Sequence, residues 1–243
     1  MSIAKITVAK TAGFCYGVER AVNMAYSASG KYQRIFTYGP LIHNRNVVED
    51  LEKKGISVLE RIEDVLPGDA VIIRSHGVGR SVYEELEKKQ AVVIDATCPN
   101  VKRIHKLVEE CRRNGQLVLI AGDKNHPEVE GILGYGDENC FVFANCEELA
   151  TLLRKNYEIF KKGVAILSQT TYNIELWEEC IKTAQRYDNV KIYNTVCRAT
   201  SQRQEEAEML SRRCDTVIII GGRNSSNTAK LMDICSKNAK CYL

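Results

Sequence analysis

Short aliphatic runs alternate with longer amphipathic stretches along the whole chain. The segment 3–9 alternates apolar and polar residues as a strand does, and the runs at 35–38, 70–73, 117–121, 164–167, 190–193, 216–220 and 239–243 read as further strands. Another strand opens the stretch VVIDATCPNV, from Val92 to Val101. Helical periodicity is expected at about 18–28, 46–54, 80–89, 100–113, 147–155 and 201–213, with one helix ending near Tyr187 and one starting after Asn227. Gly55 and Asn114-Gly115 are natural helix stops. Regular alternation of strand and helix predicts parallel sheets with helical crossovers, hence an α/β fold. In such sheets ligands bind beyond the carboxyl ends of the strands.

The turns at those ends hold the polar residues. In VVIDATCPNV a strand runs into a turn with Cys98 at its tip, and Pro99 opens the next helix, a position where its missing N–H costs nothing. First-turn amides and the helix dipole favour a thiolate at Cys98. Cys15 and Cys197 sit in similar turns. Cys15 and His43, Cys98 and His126, and Cys197 and Ser225 are each 28 positions apart. The pattern predicts three similar units, 1–96, 97–195 and 196–243, each offering a thiol and a polar turn to one centre. Two of them offer a second turn, at His76 and at Thr170. The third is expected to be incomplete, its second turn falling beyond Leu243.

Composition narrows the partners. The net charge is +3 with no dense Lys/Arg run, which predicts binding to neither nucleic acid nor a membrane surface. The apolar runs are far too short to span a bilayer, and the N-terminus lacks the apolar stretch of a signal peptide. A cytoplasmic location is therefore expected. Ten cysteines in such a chain are expected to stay reduced, and none form a C-x-x-C pair. Most are expected to be small core residues.

Three thiolates at one centre can ligate zinc or an iron–sulfur cluster; alternatively each is a buried small residue. A four-iron cluster with three protein ligands keeps one iron open. His43, His76 and His126 fall in strand-end turns, whereas His105 lies mid-helix and reads as a packed or surface histidine. Residues 224–228 combine hydroxyl and amide side chains with a helix start after Gly-Gly, which is either a phosphate cradle or an ordinary N-cap. Three histidines and that cradle suit a small anion of high charge, such as a diphosphate. Glu128 can hold or relay a proton beside such a site, or be a solvated helix-start glutamate. Thr170 can position a substrate hydroxyl. Glu19, Arg20, Arg203 and Gln204 follow the cysteine turns and read as braces.

At these residues the chain resembles the LytB family of 4-hydroxy-3-methylbut-2-enyl diphosphate reductases, which catalyse the last step of the non-mevalonate isoprenoid pathway. The matching stretches are GFCYGVERA, HNRNVV, SHGV, DATCP, HPEVEG, SQTT, CRATSQRQ and GGRNSSNT, in family order from Gly13 to Thr228. The resemblance implies one [4Fe–4S] cluster per chain on Cys15, Cys98 and Cys197, amid three α/β units in pseudo-threefold arrangement. It also implies an allylic diphosphate whose hydroxyl meets the open iron and whose diphosphate meets His43, His76, His126, Ser225, Ser226 and Asn227. Glu128 carries over as proton donor and Thr170 as part of the substrate's hydrogen-bond network. Ferredoxin or flavodoxin is the implied electron source, and isopentenyl and dimethylallyl diphosphate are the implied products. Family members continue for some tens of residues past the point matched by Leu243. A non-catalytic cluster or metal-binding protein, such as a redox sensor or an inactive reductase fragment, is the alternative. A nucleotide-binding enzyme using GGRNSSN is weaker, since neither G-x-G-x-x-G nor G-x-x-x-x-G-K-[ST] occurs.

Overall fold

A computed structural model describes residues 5–156 and 162–243. In the first part of the chain, α1 (Tyr16–Ala28), β1 (Ile35–Tyr38), α2 (Arg45–Lys53), β2 (Ile56–Leu59), β3 (Ala70–Ile73), α3 (Arg80–Lys88) and β4 (Val92–Asp95) follow one another. Their strands form a parallel sheet in the order β2-β1-β3-β4. The next part repeats the plan with α4 (Pro99–Arg113), β5 (Leu117–Ala121), α5 (Pro127–Leu133), β6 (Cys140–Phe143), α6 (Cys146–Lys155), β7 (Val164–Ser168), α7 (Ile174–Ala184) and β8 (Val190–Ile192). Its parallel sheet has the equivalent order β6-β5-β7-β8. The last part holds α8 (Arg198–Ser211), β9 (Thr216–Ile218), α9 (Ser226–Ser236) and β10 (Lys240–Tyr242), with β9 and β10 paired in parallel.

The inner strands are the continuous apolar runs, as expected for strands covered by helices on both faces. Every residue of β3, β5 and β7 is buried. Successive residues serve opposite faces. Leu117, Leu119 and Ala121 join Trp177 and Phe143 in one core, while Val118 and Ile120 join Ile104 and Val108 in another. Each fully buried Leu or Ile contributes roughly 1.5–3 kcal/mol. Helix α4 turns Val101, Ile104, Val108 and Cys111 inward at three- and four-residue spacing. Gly115, at φ +65°, accepts the left-handed turn that ends it.

The N-terminal expectation fails in part. Positions 3 and 4 of the strand anticipated at 3–9 lie outside the described residues, and Lys5–Ala9 form no strand. Ile6 and Val8 are exposed, so the alternating pattern is present without a ladder partner to use it. Strands β2 and β6 and helix α5 are additions to the sequence reading. The strand anticipated at 216–220 stops at Ile218, and Ile220 is 96% exposed. No helix among the described residues is long and apolar enough to cross a membrane.

Candidate active site

In each four-stranded sheet the chain runs from one central strand out to an edge and then crosses back to the other side, from β1 to β2 and then β3, from β5 to β6 and then β7. That switch opens a crevice at the carboxyl ends of the central strands. His43 follows β1 and His76 follows β3; His126 follows β5 and Thr170 follows β7. Cys98 lies in the turn after the outer strand β4, and Cys197 in the turn after the outer strand β8. Backbone bonds tie the neighbouring turns together. Ser75 N–H donates to the Leu41 carbonyl (3.1 Å) and Cys98 N–H to the Ser75 carbonyl (2.9 Å). Likewise Gln169 N–H donates to Ala121 (2.8 Å) and Cys197 N–H to Thr170 (3.0 Å).

Glycines let the two halves close on each other. A side-chain carbon on Gly131 of α5 would crowd the Val78 amide at 3.3 Å, and one on Gly134 would sit 2.5 Å from Gly79 Cα. This fit places the His76 turn against the His126 helix. The three imidazoles converge, with ring centroids 4.5 Å apart for His43–His76, 5.7 Å for His43–His126 and 5.5 Å for His76–His126. Among the described residues, the buried Nε2 of His43 and Nδ1 of His76 have no hydrogen-bond partner. The Glu128 amide donates to His126 Nδ1 (3.1 Å), which leaves Nε2 of the neutral ring to carry the proton. Burial lowers all three pKa values: His126 to about 4, His76 well below its ordinary value, His43 below it. Repulsion among the rings adds for His76 and His126, and the Arg74 guanidinium adds for all three. Unpartnered nitrogens beside a guanidinium make a pocket in which an anion would be stabilised.

Glu128 is buried, which removes the solvated-glutamate reading. Its carboxyl accepts the Thr170 N–H (2.6 Å) and the Thr170 hydroxyl (2.7 Å). Burial raises its pKa to about 7, and the two Thr170 bonds only partly oppose this. The carboxyl can therefore hold a proton near neutral pH.

Each of Cys15, Cys98 and Cys197 is the N-cap of its helix, α1, α4 and α8. Cys98 departs from the expected thiolate. Burial raises its pKa, and the thiols of Cys15 and Cys197 raise it further against the Asn100 and Val101 amides. Desolvation outweighs the helix terminus. The Cys15 and Cys197 thiols thus lie within electrostatic reach of Cys98. Gly17 lets α1 approach there, since a side-chain carbon on it would lie 2.5 Å from Cys98 Sγ.

The bracing residues reach across the chain. Arg20 donates to the Thr97 carbonyl (3.2 Å), steadying the Cys98 turn. Arg203 donates to the Thr11 (3.1 Å) and Gly13 (2.6 Å) carbonyls ahead of Cys15. Gln204 accepts from Ile174 N–H (3.0 Å) and donates to the Tyr172 carbonyl (3.1 Å). Glu19 is exposed and braces neither turn by a hydrogen bond among the described residues. His105 is packed, stacked on Tyr135 at 4.4 Å.

The start of α9 joins the same centre. A side-chain carbon on Gly222 would strike the His43 carbonyl, and the Thr171 hydroxyl donates to Ser226 Oγ (3.0 Å). Ser225 caps α9 by accepting the Thr228 N–H (3.3 Å), and Asn227 lies half-buried in its first turn. Sequence reasoning misses two residues. Arg74 opens the SHG turn at the end of β3, and that position was its signal. Glu206 accepts the amides of Lys10 and Thr11 (both 2.8 Å), a pairing that no local pattern announces.

A repeated parallel α/β plan with thiols, imidazoles and a buried carboxyl at its strand ends defines an α/β protein with a polar centre shared by its units. The LytB protein family pattern matches residues 6–243, and the chain belongs to that family. A relative from Caldanaerobacter subterraneus subsp. tengcongensis, named 4-hydroxy-3-methylbut-2-enyl diphosphate reductase, is 43% identical over 97% of this chain and 82% of its own. One of the same name from Trichlorobacter lovleyi is 43% identical over 96% and 81%. The chain is similar to a solved (E)-4-hydroxy-3-methyl-but-2-enyl diphosphate reductase, with a TM-score of 0.72, 40% identity and coverage of 98% and 84%. It is also similar to the Plasmodium falciparum E-1-hydroxy-2-methyl-but-2-enyl-4-diphosphate reductase, with a TM-score of 0.88, 27% identity and coverage of 95% and 73%.

Proposed function

We propose that the protein reductively dehydroxylates (E)-4-hydroxy-3-methylbut-2-enyl diphosphate, the last step of the non-mevalonate isoprenoid pathway. Two electrons and two protons convert the allylic alcohol into isopentenyl or dimethylallyl diphosphate and water. The observation that carries this reading is the convergence of the three imidazoles beside the buried Glu128–Thr170 pair, with the Cys15 and Cys197 thiols within electrostatic reach of Cys98.

The thiols suit a cluster better than one zinc ion. Zinc draws sulfur ligands to about 2.3 Å, and so close to one another. Among the described residues, the one trio of His, Cys or acidic side chains with ligand atoms within 4.8 Å of one another is His43, His76 and His126. A [4Fe–4S] cluster on Cys15, Cys98 and Cys197 would supply, when bound, an open Lewis-acid iron and a relay for the two electrons, one at a time. Ferredoxin or flavodoxin in the cytoplasm would replenish them.

The chain's own residues do the rest. His43, His76 and His126 bind the diphosphate with Ser225, Ser226 and Asn227 at the start of α9. Glu128 holds a proton beside the departing hydroxyl. The Thr170 hydroxyl, donating to Glu128 Oε2, keeps that carboxyl oriented and can turn toward the substrate.

The test is anaerobic reconstitution followed by turnover with dithionite-reduced viologen. Product from the wild type and none from Cys98→Ser is expected. A loaded cluster with no product would favour a non-catalytic cluster protein.

A further inference from the structure

Two thiols outside this centre face each other. Cys146 is the first residue of α6, and Cys180 lies within α7. Their sulfurs are 3.0 Å apart. Neither belongs to the triad of helix-capping cysteines. We propose that Cys146 and Cys180 are a dithiol–disulfide modification site, oxidised by a small organic disulfide and restored by a small thiol.

The geometry favours closure. A disulfide holds its sulfurs about 2.0 Å apart, so roughly 1 Å of approach remains, within reach of side-chain rotation. Both helices are fixed, because Leu149 and Leu153 of α6 and Trp177 and Ala184 of α7 share one core. The thiols therefore stay opposed rather than meeting by chance.

Access is unequal in a useful way. Cys180 is 1% exposed, whereas Cys146 is half-buried at the start of α6. Cys146 therefore meets the oxidant first. Its thiolate attacks one sulfur of the small disulfide, forming a mixed disulfide and expelling one thiolate. Cys180 then loses its proton and attacks Cys146 Sγ, expelling the second thiolate. The protein gives up two electrons and two protons, and the small disulfide becomes two thiols. Burial raises the Cys180 pKa, which slows this second step.

The bond would connect to the Thr170 turn through Tyr172. The Tyr172 hydroxyl donates to the Ala144 carbonyl (2.6 Å), two residues before Cys146. Tyr172 is itself two residues after Thr170. Linking α6 to α7 would thus stiffen the support of the Thr170 turn.

The whole chain is incubated anaerobically with excess glutathione disulfide, alkylated, digested without reduction and mapped by mass spectrometry. A peptide pair linked through Cys146 and Cys180, lighter by two hydrogen atoms than the separate peptides, is expected. Dithiothreitol should abolish it, and oxidation should raise the thermal midpoint. Cys180→Ser should stop at a glutathione adduct on Cys146. A wild type whose two thiols both remain open to alkylation overturns the proposal. So does a wild type that stops at a stable glutathione adduct, and neither result depends on a variant folding.

Discussion

Glu128 shows how one buried carboxyl can affect both chemistry and stability. Its pKa stands at about 7 against an ordinary 4.5, chiefly through burial. The folded chain therefore holds this proton more tightly than the unfolded chain does. Its stabilising contribution is complete below about pH 4.5 and is lost as pH rises through about 7, a difference on the order of 3 kcal/mol. Glu128→Gln stays neutral and can keep both Thr170 contacts. The variant should melt above the wild type at pH 8, and the gap should close at pH 5. Its turnover should fall by at least about 10²-fold with substrate affinity kept, as for a lost general acid. Undiminished turnover would remove Glu128 from the chemistry. The histidines titrate in the opposite sense. Their pKa values lie below the ordinary 6.5, and a bound anion would raise them. Binding should then take up protons, so affinity for inorganic diphosphate should strengthen as pH falls from 8 to 6. His76→Asn should flatten that slope by calorimetry, a comparison in which the ligand's own titration cancels. Equal slopes would mean that His76 does not meet the anion.

Between elements, glycine contacts place the thiols. Gly17 in α1 leaves 2.5 Å between the position of a missing side-chain carbon and Cys98 Sγ. Gly17→Ala should therefore preserve helix content, because alanine suits a helix, while iron bound per chain after reconstitution drops severalfold. Full iron loading would show that α1 does not limit the Cys98 seat. This contact could not be read from the sequence, because it joins residues 81 positions apart. The same limit hid Glu206, whose partners Lys10 and Thr11 lie 196 and 195 positions away. The inner strands were legible because burial on both faces makes them unbroken apolar runs. Strands β2 and β6, four residues each at sheet edges, were not, although the edge strands β4 and β8 were. Helix α5 is seven residues long and contains Gly131, so its sequence reads as a turn. Local alternation also misled at Lys5–Ala9, because a strand pattern does not supply a neighbour. Cysteine and histidine stood out by residue type and by their place at strand ends, whereas the raised pKa of Cys98 depends on burial that only the fold reveals.

At the scale of the molecule, the two four-stranded sheets and the two-stranded one differ in how firmly they are held. Strands β3, β5 and β7 are each paired on both sides and wholly buried. Strands β9 and β10 have three residues each and, among the described residues, pair only with one another. Ile218 is 70% exposed and Ile220 is 96% exposed. A two-stranded sheet is marginal without a covering layer, and here the cover comes from α8 and α9, which bury Ile234 and Cys235. Local opening is cheapest where few apolar contacts are lost. In hydrogen exchange followed by mass spectrometry, the amides of β9 and β10 should therefore exchange orders of magnitude faster than those of β3, β5 and β7. The difference matters for the site, because α9 carries Ser225, Ser226 and Asn227 and meets the rest through Gly222 against His43 and Ser226 against Thr171. A diphosphate held between the histidines and α9 would bind only the closed arrangement, and so would stabilise it. Inorganic diphosphate should then slow exchange in β9, α9 and β10 and leave β5 and β7 unchanged. Equal protection of all three sheets without ligand would show that α8 and α9 suffice to hold the third. Uniform slowing throughout the chain would place the anion away from α9.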